Sequence, residues 1–354
     1  MYAMKRNLIA LLALVMMVAA LVGCGTENAA QGKQERARTV TDIDGTEVTI
    51  PANVERIADL WHANNQVVLL LGGADKLVTT TKNVQGLPWF AQVYPRIAEI
   101  SAPVKGTDVN WEEVEKEKPQ VVLASSKEQI ETARKNGYTA VRVNFATYDG
   151  LRKVVKITGD VLGGDAVKNA ETYLSYLDEK TKFTDERTKK LSDADRPVVL
   201  HIVGGDDLFK VDGVDTIIDE WIRYGGGRNA ITAKGPQIKT TIEEVLKADP
   251  DIIIIGGMQS AKGIEAIKND PQWSSIKAVK NGRIYANPVG TFNWDRYSAE
   301  SALQLLWAAQ TIQPKLFADV DLVKETVDFY KRFLHYDLSE ADAQRIIKGE
   351  APAK

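Results

Sequence analysis

EEVEKEKPQVVL (residues 112–123) and EEVLKADPDIII (residues 243–254) repeat one pattern at a constant offset of 131 positions. Glu-Glu-Val, a lysine, a proline and a triple aliphatic run fall in register in both copies. Each reads as a short amphipathic helix, a proline that stops it, and a buried strand. Two such units this far apart predict two lobes of similar α/β construction.

Around each copy, short apolar runs alternate with helical patterns. In the first half, strands are expected at 56–60, 76–81, 121–125 and 140–144, with helices near 65–71, 111–117 and 127–136. In the second, strands are expected at 198–203, 251–256 and 283–286, with helices near 215–224, 241–248 and 261–269. That alternation predicts two Rossmann-like lobes with mostly parallel sheets and a ligand cleft between them. Val40 to Ile50 reads as a β-hairpin turning at Asp44-Gly45. Between the halves, residues 151–191 look helical, interrupted at Gly163-Gly164. From Asp165 onward the apolar residues Ala170, Tyr173, Leu174 and Leu177 recur at helical spacing. About 26 residues at 1.5 Å each give a helix of about 39 Å, long and stiff enough to join two lobes.

The 354 residues carry 45 basic and 48 acidic side chains, a formal net charge of −3. No basic excess is available for nucleic acid, so no such partner is expected. One cysteine and three histidines exclude a disulfide framework, a thiolate zinc cluster and a multi-histidine metal cage. No Gly-x-Ser-x-Gly motif occurs. A secreted hydrolase, the competing reading from a different class, therefore lacks an evident nucleophile and base, and the chain is read as not an enzyme.

The lone Cys24 follows a leader. Lys5-Arg6 precedes an apolar run from Leu8 to Val22, about fifteen residues against the roughly twenty of a spanning helix. Leu21-Val22-Gly23-Cys24 resembles the lipobox of bacterial lipoproteins. The resemblance implies a signal peptide over 1–23 and acylation of Cys24. Residues 24–38 are then a polar, lipid-anchored flexible tether, and the mature protein stands on the extracytoplasmic face of the cell membrane. The expected division continues with an N-terminal lobe at 39–160, an inter-lobe helix at 161–192 and a C-terminal lobe at 193–348.

Several stretches carry a wider resemblance. They are the hairpin ending at Pro51, Leu71-Gly72-Gly73-Ala74-Asp75-Lys76, Glu112 with Lys118-Pro119-Gln120-Val121-Val122, and Ile242-Glu243-Glu244 with Asp249-Pro250-Asp251-Ile252-Ile253. The last is the run from Asn287 to Ser298 leading into a helix. In this order, over about residues 38–340, they resemble the substrate-binding lipoproteins of ABC importers for iron–siderophore complexes, haem and cobalamin. The resemblance implies a class III helical-backbone architecture with little hinge closure, and permease and ATPase subunits as partners. A monomer without a cofactor is expected. Its ligand is read as a metal complex, foremost an iron–siderophore. Cobalamin, haem, a nickel chelate and a molybdate-type oxyanion stand as alternatives.

Ligands in open α/β sheets sit beyond the carboxyl ends of the strands. Trp61-His62 directly follows the first strand, where an imidazole can ligate a metal, donate to an anionic chelate, or merely cap the helix start. Trp294, Arg296 and Tyr297 follow the last strand of the second half. The guanidinium suits carboxylates, catecholates or oxyanions, and the rings suit stacking on a flat ligand. Arg296 has a competing structural reading as the partner of Asp295 or Glu300. Trp89, in a Pro-bounded loop, is a further ligand candidate and Tyr148 a weaker one. His201 alternates within a strand and reads as a satisfied core residue, and His335 as structural. The family resemblance implies permease docking through one carboxylate per lobe. Glu99 falls near the N-lobe position, and the stretch Gly227–Lys234 has no counterpart.

Overall fold

The computed structural model describes residues 37–353. The expected signal peptide, Cys24 and almost all of the tether lie outside the described residues. From Ala37 onward the chain forms one compact unit. It opens with a hairpin of β1 (Arg38–Thr41) and β2 (Glu47–Ile50), paired antiparallel. Asp42 Oδ1 accepts from the Asp44 and Thr46 amides, and Gly45 takes φ of 85° at the turn.

The first large sheet holds β3 (Ile57–Asp59), β4 (Leu77–Thr81), β5 (Ser101–Lys105), β6 (Asp108–Val109), β7 (Val121–Ala124) and β8 (Ala140–Arg142). Their order is β6-β5-β4-β3-β7-β8, and only the edge strand β6 is antiparallel to its neighbour. The second sheet holds β9 (Val198–Gly204), β10 (Asp207–Val211), β11 (Arg228–Asn229), β12 (Ile238–Lys239), β13 (Ile252–Ile255) and β14 (Ile284–Ala286). Its order is β12-β10-β9-β13-β14, with β11 pairing parallel to β9. β9, β13 and β14 run parallel, whereas β10 is antiparallel to both of its neighbours, β9 and β12. The fold is thus a mostly parallel α/β pair of sheets, as the alternating pattern predicts.

The sequence echo is a structural one. The helices Trp111–Lys116 and Ile242–Ala248 lead into β7 and β13, each the central neighbour of the first strand of its sheet. Asn110 and Thr241, 131 positions apart, accept from the third helical amide of each copy. The prolines follow Lys118 (φ 47°) and Asp249 (φ 40°), which break both helices with the same left-handed residue. After each proline a side chain holds the neighbouring strand. Gln120 Oε1 accepts from the Arg56 amide and Asp251 Oδ2 from the Val198 amide.

The helices Tyr148–Leu162 and Asp165–Thr188 join the two sheets. They part at Gly163 and Gly164, whose φ values of 69° and 55° suit only glycine without strain. Arg38 closes the first helix, donating to the Asp160 and Val161 carbonyls. Arg152 reaches Asp178 at 2.7 Å, so the second helix folds back on the first. It is also anchored to the second half, with Tyr173 Oη donating to the Ala299 carbonyl at 2.6 Å and Thr188 Oγ1 to the Tyr224 carbonyl.

The C-terminal helices Ser301–Ile312, Leu322–Phe333 and Glu340–Ile347 depart from the simple partition. This end of the chain returns to the first half: Trp89 Nε1 donates to the Glu350 carbonyl of the tail at 2.9 Å, and Gln92 to Tyr336 Oη, between the last two helices, at 2.9 Å. One continuous core therefore runs from Val40 and Trp89 through Tyr173 to Trp294 and Ile346.

Candidate functional site at the carboxyl ends of the strands

The chain leaves β3 at Asp59 and turns through Trp61 into the helix His62–Leu70. Buried polar residues hold this turn. Asp59 Oδ1 accepts from the Trp61 amide (3.2 Å) and its Oδ2 from Asn64 Nδ2 (3.0 Å). Asn65 donates to the Asp59 and Trp61 carbonyls, and Thr80 Oγ1 donates to Asn65. Burial pushes the Asp59 carboxyl up to about 8, partly opposed by these two donors.

One turn further along the same helix, Gln66 reaches the other half of the molecule. Its Nε2 donates to Glu300 Oε2 (2.7 Å) and Thr291 Oγ1, while its Oε1 accepts from the Ala299 amide (2.7 Å). Glu300 is fully buried and also accepts from the Phe292 amide and from Tyr330 Oη. Desolvation raises its pKa against the opposing hydrogen bonds from Tyr330, the Phe292 amide and Thr291. This neutral-to-acid rivet fixes the loop Thr291–Glu300 against the first half.

The rivet brings rings from both halves together. Trp61 meets Phe145 edge-on at 5.3 Å and Tyr297 at 6.1 Å, and Phe145 meets Tyr297 at 6.0 Å. His62 stacks on Phe292 at 5.6 Å with 17° between planes. Trp61, His62 and Phe145 follow β3 and β8 of the first sheet, whereas Phe292 and Tyr297 follow β14 of the second. Tyr297 holds φ of 50°, a left-handed conformation unusual for an aromatic residue and of the sort that gathers at binding sites. His62 is half-buried, and that burial lowers its pKa, so the ring is neutral near pH 7. Among the described residues no group of three His, Cys, Asp or Glu side chains stands together to hold a metal ion. A metal reaching His62 would have to bring its other ligands with it.

Behind Tyr297 lies a buried charged cluster. His201, in the middle of β9, has Nδ1 2.8 Å from Asp212 Oδ2 and Nε2 3.1 Å from Asp295 Oδ2. Arg296 donates from Nη2 to Asp212 (2.6 Å) and from Nε toward Asp295 (3.4 Å). Attraction from His201 and Arg296 outweighs desolvation and lowers both aspartates. Trp221 Nε1 braces the loop through the Asp295 carbonyl at 3.0 Å.

The structure thus brings Trp61, His62 and Tyr297 together, with Arg296 one residue behind them; Trp61, Phe145 and Phe292 are themselves buried, so His62 and Tyr297 are the rings of the cluster that stay partly exposed. Two expectations are corrected. Trp89 is 1% exposed because the C-terminal tail covers it, and Trp294 is fully buried beneath its own loop. Neither ring is available for stacking on a ligand. Arg296, 7% exposed, takes the structural pairing with Asp295 and adds Asp212 as the closer partner. Tyr148 is buried too, its Oη donating to the Ser301 carbonyl. His201 is a satisfied core histidine, as its alternation predicts, although both of its partners are charged. Glu99 is exposed at the end of the 3-10 turn Pro95–Glu99, and His335 is exposed with φ of 51°. Phe145 is the member that sequence reading misses. It lies three residues past β8, and its position at a strand end was the available signal.

Known proteins share this fold. The family model described as periplasmic binding protein matches residues 57–289. The chain is 28% identical over 289 residues to the ABC transporter substrate-binding lipoprotein YvrC of Bacillus subtilis, covering 77% of this chain and 87% of that one. It is 24% identical to the molybdate-binding protein MolA of Haemophilus influenzae (87% and 94% covered). It is 22% identical to the Fe(3+)-citrate-binding protein YfmC of Bacillus subtilis (83% and 92% covered). Among solved structures, a periplasmic solute binding protein from Veillonella parvula superposes with a TM-score of 0.78 at 28% identity, covering 88% and 97%. MolA bound to molybdate superposes with a TM-score of 0.76 at 21% identity, covering 85% and 99%. The family model spans about two thirds of the chain, and the relatives match it over most of their own length: the chain belongs to the periplasmic binding protein family and is an ABC-transporter substrate-binding protein, not an enzyme.

Proposed function

We propose that this protein captures a metal complex, foremost an iron chelate, on the outer face of the cytoplasmic membrane and hands it to an ABC permease and its ATPase. The observation that carries this reading is the ring cluster at the junction. Trp61, His62 and Phe145 come from one half, and Phe292 and Tyr297 from the other. Trp61, Phe145 and Phe292 are buried beneath the partly exposed Tyr297 and His62, one from each half, which suit the organic shell of a chelate, and a neutral His62 adds one polar contact. The similarity to an Fe(3+)-citrate-binding relative supports iron. Lipid attachment at Cys24, the tether 24–38, two lobes divided at the helix 161–192, and a monomeric state complete the proposal.

A molybdate-type oxyanion is the second reading. The buried Arg296 beside the rings favours it, as does the likeness to MolA. Titration calorimetry against ferric citrate, a ferric hydroxamate, molybdate, haem and cobalamin separates the two. A ferric chelate should bind, and His62→Ala and Tyr297→Ala should each weaken it about tenfold, or about 1.4 kcal/mol. Binding of molybdate alone would establish the second reading. Unchanged affinity in both variants would remove the ring cluster from the site.

A further inference from the structure

Arg296 is held on two edges and unpaired on the third. Nε and Nη2 face Asp295 and Asp212, while Nη1, buried with the rest of the side chain, has no hydrogen-bond partner among the described residues. The two carboxylate oxygens that hold it are the same two that face the ring nitrogens of His201. A neutral imidazole donates from one nitrogen only and would set the lone pair of the other against a carboxylate. Donation at both nitrogens requires the imidazolium. With His201 protonated, two cations balance two aspartates; without that proton the cluster carries a net charge of −1.

We infer that His201, as an imidazolium, is a positioning residue that neutralises Asp212 and Asp295 and lets Arg296 Nη1 serve an anionic oxygen of the ligand, so that capture of an anionic chelate or oxyanion is proton-linked. The inference rests on the junction being the capture site. The groups around His201 agree with it. Asp212 comes from the end of β10, and its other oxygen, Oδ1, accepts from the Gln237 amide. Asp295, Arg296 and Tyr297 come from the loop after β14. From the helix Ile217–Tyr224 only the uncharged Trp221 ring meets His201, edge-on at 5.6 Å. Burial alone would lower the His201 pKa, and the hydrogen bonds and charges of the two aspartates outweigh it and raise it. Loss of that proton places an uncompensated negative charge beside the guanidinium, which repels an anion.

The test is calorimetry of the full chain with ferric citrate and, separately, with molybdate, between pH 6 and pH 9. Relative to His201→Phe, which cancels the titration of the probe itself, wild-type affinity for the bound anion should fall about tenfold or more across that range. Arg296→Lys keeps the charge but loses the fork, and should bind about tenfold more weakly at every pH. Should His201→Phe fail to fold, carbon-13 NMR of the His201 ring in the wild type keeps the inference exposed. The ring should be protonated at pH 7, and its titration midpoint should rise on saturation with the anion. A pH profile shared by wild type and His201→Phe, or a ring neutral at pH 7, would overturn the inference and leave the capture reading standing. Binding of cobalamin with neither anion would overturn the anionic ligand class. No binding by any probe in the panel would overturn both readings.

Discussion

Asp59 shows how much a single carboxyl at this junction controls. It is fully buried with two neutral donors and no cation, and its pKa stands near 8 rather than 3.8. The unfolded chain ionises this group near pH 4, whereas the folded one keeps it neutral until about pH 8. Its contribution to stability is therefore complete below pH 4, declines as the pH rises toward 8, and is lost above it. Asp59→Asn should accordingly gain on the wild type as pH increases. In thermal melts the difference in Tm, variant minus wild type, should grow by a few degrees from pH 4 to pH 8 and then level off. A constant difference across that range would show that Asp59 ionises as an ordinary surface aspartate does. Sequence alone places Asp59 at a strand end but does not reveal this shift, because its cause is complete burial in the folded chain, where Thr158 from a distant helix bonds to Asn64 beside it. The same holds for Arg296. Its type and position suggested an open ligand contact, and its partner Asp212 lies 84 residues away.

At the scale of elements, most strands and helices were legible from local pattern. β7 and β13 are fully buried and read as unbroken apolar runs, while β3 and β9 are mostly buried runs that carry Asp59 and His201. β5, by contrast, contains Pro103 and is half-exposed along most of its length, and β10 buries only Val211 deeply. Such strands lack an apolar run, and their partners rather than their sequences make them strands. The break between the two connecting helices was legible because it rests on Gly163-Gly164. A Cβ at Gly163 would meet the Arg38 guanidinium at 2.8 to 2.9 Å, and φ is 69°. Gly163→Ala should cost about 1–2 kcal/mol in urea denaturation, since it strains the turn and displaces the cap of the first helix. An unaltered midpoint would mean that the turn relaxes freely.

For the molecule as a whole, the proposed attachment at Cys24 should be separable from folding. The single cysteine, Cys24, precedes every described residue, so the folded body from Ala37 onward contains no thiol. Cys24→Ala should move the protein from the membrane to the soluble fraction, while circular dichroism and ligand affinity of the soluble form stay unchanged. Membrane retention of that variant would show a different anchor. The sequence by itself determined the two repeated α/β units, the helical connection and the strand ends from which the candidate site is built. Periodicity, proline stops and glycine turns act over a few residues, and they can be read there. Only the tertiary structure decided which rings face each other, that Trp89 and Trp294 are core, and that Arg296 is shared between two aspartates and His201. Those outcomes depend on contacts such as Gln66 with Glu300, 234 positions apart, and on the loss of water around them. Neither a partner at that distance nor desolvation leaves a local mark in the chain.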